Sequence, residues 1–145
     1  MTNDPKGFDN IAWGSALSSR PELEIVSTSP HVKEYRFKEG PTSFGNVAVD
    51  SIQFSSFDNQ FARVTIRYRA EAIHKKILAY LEREFGTIDR IPGQMVRGLD
   101  QQYTWQGQET EINLTYHGGT ERDYIFIDSR NLAPRFNDLI GDSAE

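Results

Sequence analysis

The chain contains no cysteine, only two tryptophans and two methionines, and no apolar run approaching the ~20 residues that cross a bilayer. The missing cysteine excludes disulfides, zinc–thiolate centres and thiol catalysis together, and leaves the compartment open. Residues 1–7 carry no apolar h-region, so no signal peptide is read in them, and they are expected to form a disordered lead. Neither sign of charge dominates. The formal net charge of −5 sits at the two ends, while residues 60–100 are mildly basic. A concentrated basic footprint is therefore lacking, which argues against nucleic-acid binding. Phosphate-cradling glycine loops and dinucleotide fingerprints are also missing, so no cofactor is expected.

What remains has the composition of a folded domain. At 145 residues the chain is long enough for one hydrophobic core, and its 37% hydrophobic and 26% charged residues fit a folded protein. Nine Phe and six Tyr favour β-structure. Residues 8–14, followed by Ser15, Ala16 and Leu17, read as an apolar anchor running into a helical turn that Pro21 ends. Strands are predicted over 23–27 and 32–37, joined at Ser29 and Pro30. A further strand over 47–54 changes its apolar parity between Val49 and Ile52, which predicts a bulge near Asp50 and Ser51. Residues 38–41 and Gly45-Asn46 are read as loop, and Asp58-Asn59 as a turn.

Residues 61–69 show the cleanest alternation. Ala62, Val64, Ile66 and Tyr68 fall on one face, and Arg63, Thr65, Arg67 and Arg69 on the other. Residues 70–85 predict the main helix, with Ile73, Ile77, Tyr80, Leu81 and Phe85 at helical spacing and Gly86 just past its end. After a break at residues 91–93 come strands over 101–106, 110–116 and 124–128, with Gly107 and Gly118-Gly119 at the turns. The last strand is apolar on both faces, so it belongs in the middle of a sheet or beneath a second helix. Residues 131–140, with Asn131 as cap and Pro134 in the first turn, predict that helix. The predicted fold is α+β: an antiparallel, strongly twisted sheet with one central amphipathic helix on one face and a short C-terminal helix. It occupies residues 8–140, with a disordered tail at 141–145.

No set of residues forms a catalytic or metal signature. His31, His74 and His117 stand in no metal-ligand spacing, and His74 lies beside the apolar stripe of the helix, as a core-edge histidine would. His117 opens a His-Gly-Gly turn without the nucleophile elbow that would make it part of an oxyanion hole. Glu109 and Glu111 are expected to face solvent together, and Asp128 to serve a turn or cap. The row Arg63, Arg67 and Arg69 has two readings: a site for an anion or acidic partner, or a wet sheet face where arginines meet cross-strand acids such as Glu109 or Glu111. Trp105, near a hairpin tip, is the tryptophan expected to be exposed toward a ligand, and His117 joins it as a binding candidate.

The opening Phe8-Asp9-Asn10-Ile11-Ala12-Trp13-Gly14, the stretch Tyr103-Thr104-Trp105, and the strand Ile112-Asn113-Leu114-Thr115-Tyr116 occur together here. In that order they resemble a family of small bacterial domains, often exported or lipoprotein-like, with an F-x-x-I-x-W-G start and a tryptophan hairpin. The resemblance implies a bacterial origin and an extracytoplasmic or periplasmic address. It brings no catalytic residue. The expected function is a non-catalytic binding or interaction domain that takes a protein partner or an anionic ligand. The alternative is a small-ligand domain or cryptic hydrolase with a pocket between helix and sheet near Trp105 and His117. A structural piece of a larger assembly is the third reading.

Overall fold

A computed structural model describes residues 1–39, 42–86, 101–116 and 123–135, with backbone only at Gln101. Two short strands, β1 (Gly7–Phe8) and β2 (Ile11–Ala12), form an N-terminal hairpin, and a 3₁₀ turn follows at Leu17–Ser19. Strands β3 (Leu23–Thr28) and β4 (Val32–Phe37) come next. A small hairpin, β5 (Ser43–Phe44) and β6 (Val47–Ala48), then leads into β7 (Ser51–Phe57) and β8 (Gln60–Tyr68). Helix α1 (Glu71–Phe85) separates these from β9 (Gln101–Gln106), β10 (Thr110–Tyr116) and β11 (Asp123–Ser129). The predicted α+β class is the observed one.

The main sheet has seven strands in the order β3-β4-β7-β8-β11-β10-β9, and every pairing is antiparallel. Each half is a meander, and the halves meet at β8 and β11. The expectation that the last strand sits inside a sheet is met there, between β8 and β10.

Three hairpins turn on two-residue tips with positive φ at both positions: Asp9-Asn10, Gly45-Asn46 and Asp58-Asn59. Asp and Asn tolerate this conformation better than other residues with a side chain, and its twist matches that of the flanking strands. Gly45 has a second reason to be glycine, because a Cβ there would lie 2.6 Å from the Tyr80 ring.

The core lies between α1 and one sheet face. Ile77 and Leu81 of the helix meet Val64, Ile66, Ile112, Leu114, Ile125 and Ile127, all essentially without solvent exposure. Glu71 and Lys75 form an i,i+4 ion pair on the outer face of the helix, at 3.5 Å.

The parity change near Asp50 has a different cause from the one predicted. The chain there leaves the β5–β6 hairpin and starts β7 afresh; the register shift falls between Ser55 and Ser56. Residues 1–7, predicted as a disordered lead, lie against the domain instead. Asp4 accepts the backbone N–H groups of Glu109 at 2.8 Å and Thr110 at 3.3 Å, and the Thr2 N–H bonds the Phe85 carbonyl at 2.9 Å. The reason is local: Asp4 supplies an acceptor to the N–H groups that follow the Gly107 turn. Of the predicted C-terminal helix, residues 131–132 form a turn and 133–135 are helical, while 136–140 lie outside the described residues, as do the expectations for residues 40–41, 91–93, 117–119 and 141–145.

Candidate functional site

Strand alternation and register place three cross-strand rows on the sheet face opposite α1. One row runs Ser55, Arg63, Asp128, Glu111, Gln106. The next runs Gln53, Thr65, Phe126, Asn113, Thr104, and the third Ser51, Arg67, Tyr124, Thr115, Gln102. Residues directly opposite one another in an antiparallel pair share a face, so these rows follow from pairing alone. The face is polar throughout, apart from the two aromatic rings at its centre.

A cleft of about 550 Å³ opens over the β9, β10 and β11 part of this face, with Arg63 of β8 at its edge and Arg130, Ala133 and Pro134 of the following turn as a wall. Its most ordered feature is a two-pronged ion pair. Arg63 Nε donates to Asp128 Oδ1 at 2.6 Å and Nη2 to Oδ2 at 3.1 Å, with both side chains more than 90% buried. Burial pushes the Asp128 carboxyl up and Glu111 adds to the effect, while the hydrogen bonds and charge of Arg63 pull it down. The Arg63 guanidinium also lies 4.2 Å from the centre of the Phe126 ring, and Tyr124 packs beside Phe126 at 4.8 Å. Two further contacts hold the cleft in shape. Thr104 Oγ1 bonds Asn113 Oδ1 at 2.8 Å, and Arg130 Nη1 donates to the Gly107 carbonyl at 2.6 Å.

Of the five residues singled out from the sequence, Arg63 lines this cleft, and Arg67 stands exposed in the third row, opposite Tyr124. The arginine row is therefore shorter than predicted. Arg69 lies beyond the last paired residue of β8 and bonds Asp50 at 2.8 Å. Trp105 is a correction. It is the register partner of Ile112, so its parity turns the indole under the helix, where it is fully buried and donates Nε1 to the Gly86 carbonyl at 2.9 Å. That ring fills the space beside β9 that a helix–sheet pocket at Trp105 would need. Trp13 is the more exposed of the two tryptophans, half-buried against Phe61 with Nε1 on Thr110 Oγ1 at 2.8 Å. His117 lies outside the described residues.

The acids moved as well. Asp128, expected at a turn, is the partner of Arg63, and Glu111 lines the cleft while Glu109 points toward Lys6 at 3.9 Å. Tyr124 and Phe126 were legible as one face of a strand, but only the pairing of β11 with β8 brings them beside the arginines.

On the covered face, His74 is buried. Its Nδ1 is 2.8 Å from the Tyr68 hydroxyl, and its ring stacks on Tyr116 at 3.8 Å. Burial holds the imidazole below its ordinary value, against the charges of Asp123 and Glu71. Among the described residues no three side chains converge as a metal-ligand set, and no helix is long and apolar enough to cross a membrane. Comparison of this chain with protein-family models, with curated proteins and with solved structures finds no match.

Proposed function

We propose that this chain is a non-catalytic binding domain whose open sheet face receives a ligand or a partner segment in the cleft beside Arg63, Asp128, Tyr124 and Phe126. The observation that carries this reading is the preformed cleft of about 550 Å³, built on rigid strands with an aromatic centre and a polar surround. That volume falls within the about 300–1,000 Å³ of small-molecule sites. The state of the carboxylates supports binding over chemistry. Both oxygens of Asp128 are engaged by Arg63, and Glu111 Oε1 is 3.5 Å from Gln106 Nε2. An acidic group on a partner would meet Arg67, exposed at the edge of the same face. On the resemblance carried by residues 8–17 and 103–116, the domain would serve at the bacterial envelope.

Binding is tested by recording backbone amide NMR spectra of the labelled protein against a mixed library of small molecules and envelope-derived peptides. The expected result is saturable shifts confined to β9, β10, β11 and β8 residues of the open face, weakened in an Arg67→Ala/Tyr124→Ala variant. Shifts confined to the helix face, with the open face silent, would sink the reading.

A second reading, a small-ligand pocket between helix and sheet, draws on a separate recess of about 290 Å³ lined by Phe8, Phe44, Tyr80, Phe85, Ile112 and Ile127. Shifts at Tyr80 and Ile127 on titration with an apolar probe such as indole would favour it.

A further inference from the structure

Resting on that reading of the cleft, we propose that its ligand is a neutral carbohydrate of one or two sugar rings. The first ground is charge. Among the described residues the cleft is lined by two cations, Arg63 and Arg130, and two carboxylates, Asp128 and Glu111. Arg63 and Asp128 neutralise each other through two hydrogen bonds, and Arg130 is directed onto a backbone carbonyl. An anion entering here would be attracted by two cations and repelled by two carboxylates, and its recruitment of Arg63 would strip Asp128 of its buried partner. Breaking such a pair is costly, so the cleft selects against an anion that would have to recruit Arg63.

The second ground is the kind of polar group that remains. Gln102, Asn113 and Thr115 each combine a donor with an acceptor, and they stand in adjacent rows on neighbouring strands. A sugar hydroxyl also donates and accepts, so adjacent hydroxyls on a ring match a grid of amides and hydroxyls. Thr104 already bonds the Asn113 carbonyl oxygen, which fixes that amide before any ligand arrives. Pre-orientation of this kind reduces the ordering cost of binding.

The third ground is the aromatic centre. Tyr124 and Phe126 lie 4.8 Å apart with both rings half-buried, in the middle of an otherwise polar face, one side of Phe126 being covered by the Arg63 guanidinium. A pyranose has an apolar C–H face and a polar rim. An aromatic strip flanked by amides is complementary to both at once.

The test uses the full chain on an array of neutral and acidic glycans, followed by amide NMR titration with whichever neutral disaccharide binds, and with citrate and inorganic phosphate in parallel. Expected are binding to neutral saccharides and shifts at Asn113, Thr115, Tyr124 and Phe126. Asn113→Ala and Tyr124→Ala, each first checked for an unchanged amide spectrum elsewhere, are expected to weaken binding by roughly tenfold, as for the central contacts of an interface. Asn113 is the safer variant, since Tyr124→Ala also removes packing. Binding of acidic glycans alone, or shifts with citrate or phosphate at the cleft but with no neutral sugar, would overturn the carbohydrate inference and leave the binding reading intact. Silence of the open face toward every probe would overturn both.

Discussion

Arg63 and Asp128 are register partners on the two central strands, and their side chains meet in a two-pronged, buried ion pair with a shortest distance of 2.6 Å. Asp128→Ala would leave a guanidinium buried without its carboxylate, at a cost of about 3–5 kcal/mol. Replacing both residues, Arg63→Met with Asp128→Leu, removes both buried charges together and is expected to leave stability unchanged or raised by about 1–4 kcal/mol. Urea unfolding of the three proteins checks this. A double variant as unstable as Asp128→Ala would show that the pair stabilises the fold on its own account.

His74 makes stability depend on pH. Burial lowers its folded-state value below that of the unfolded chain, so the unfolded state binds a proton first as pH falls. The folded state is then most stable above the ordinary histidine value of about 6.5 and loses stability as pH drops from there toward the lowered folded value. Beyond that lower value the effect levels off. The groups around it are Tyr68, Tyr103, Tyr116, Asp123 and Glu71, of which the two acids oppose the shift. His74→Gln keeps an acceptor for the Tyr68 hydroxyl and is expected to flatten the slope of unfolding free energy between about pH 5 and 7, relative to the parent. An unchanged slope would assign the dependence elsewhere.

Ala70, which leads into α1, has φ 81° and ψ 136°, a conformation that residues with a side chain rarely adopt. Strain of this kind is worth about 1–3 kcal/mol. Ala70→Gly relieves it but loosens the unfolded chain, so the net expected gain is about 1 kcal/mol in denaturant unfolding. Ala70→Val is expected to be destabilising. Reversed signs would mean that the neighbouring backbone adjusts freely.

Asp4 clasps the β9–β10 hairpin. It accepts N–H groups of Lys6, Glu109 and Thr110, and although burial pulls its carboxyl upward, these donors hold it below the ordinary value. The stability this contributes is present above the unfolded value of 3.8 and is lost as pH falls through the folded one. Gly107 belongs to the same device, because a Cβ there would collide with the Asp4 carboxylate. Asp4→Ala and Gly107→Ala are each expected to cost about 1–2 kcal/mol. Their combination should cost less than the sum, since both open one clasp. Full additivity in thermal unfolding would separate them.

Local signals carried most of the fold. The alternation of residues 61–69, the helical stripe ending at Phe85 and the Asp58-Asn59 turn all reflect neighbours within a few positions, and each element formed where its pattern placed it. The cleft depended on pairings that such signals do not contain. Asp128 resembles a strand-end cap until β11 is laid beside β8, and Glu111 resembles a solvated acid until β10 joins them. Trp105 was misread for a related reason. Its distance from the hairpin tip pointed outward, while its parity with Ile112, opposite Trp105 across β9 and β10, pointed inward. Parity was the stronger signal, because a one-residue slip exchanges the two faces of a strand.

The central seam between β8 and β11 also sets a problem during synthesis. Arg63 leaves the ribosome 65 positions ahead of its partner. At ~5–20 residues per second, β8 waits several seconds as an open edge beside β7. An apolar strand in that position is a template for pairing with another nascent chain. The guanidinium of Arg63, charged and still without its carboxylate, stands on that edge and resists burial against a foreign strand. When Asp128 arrives with β11 that edge is closed, and the arginine becomes half of a buried ion pair.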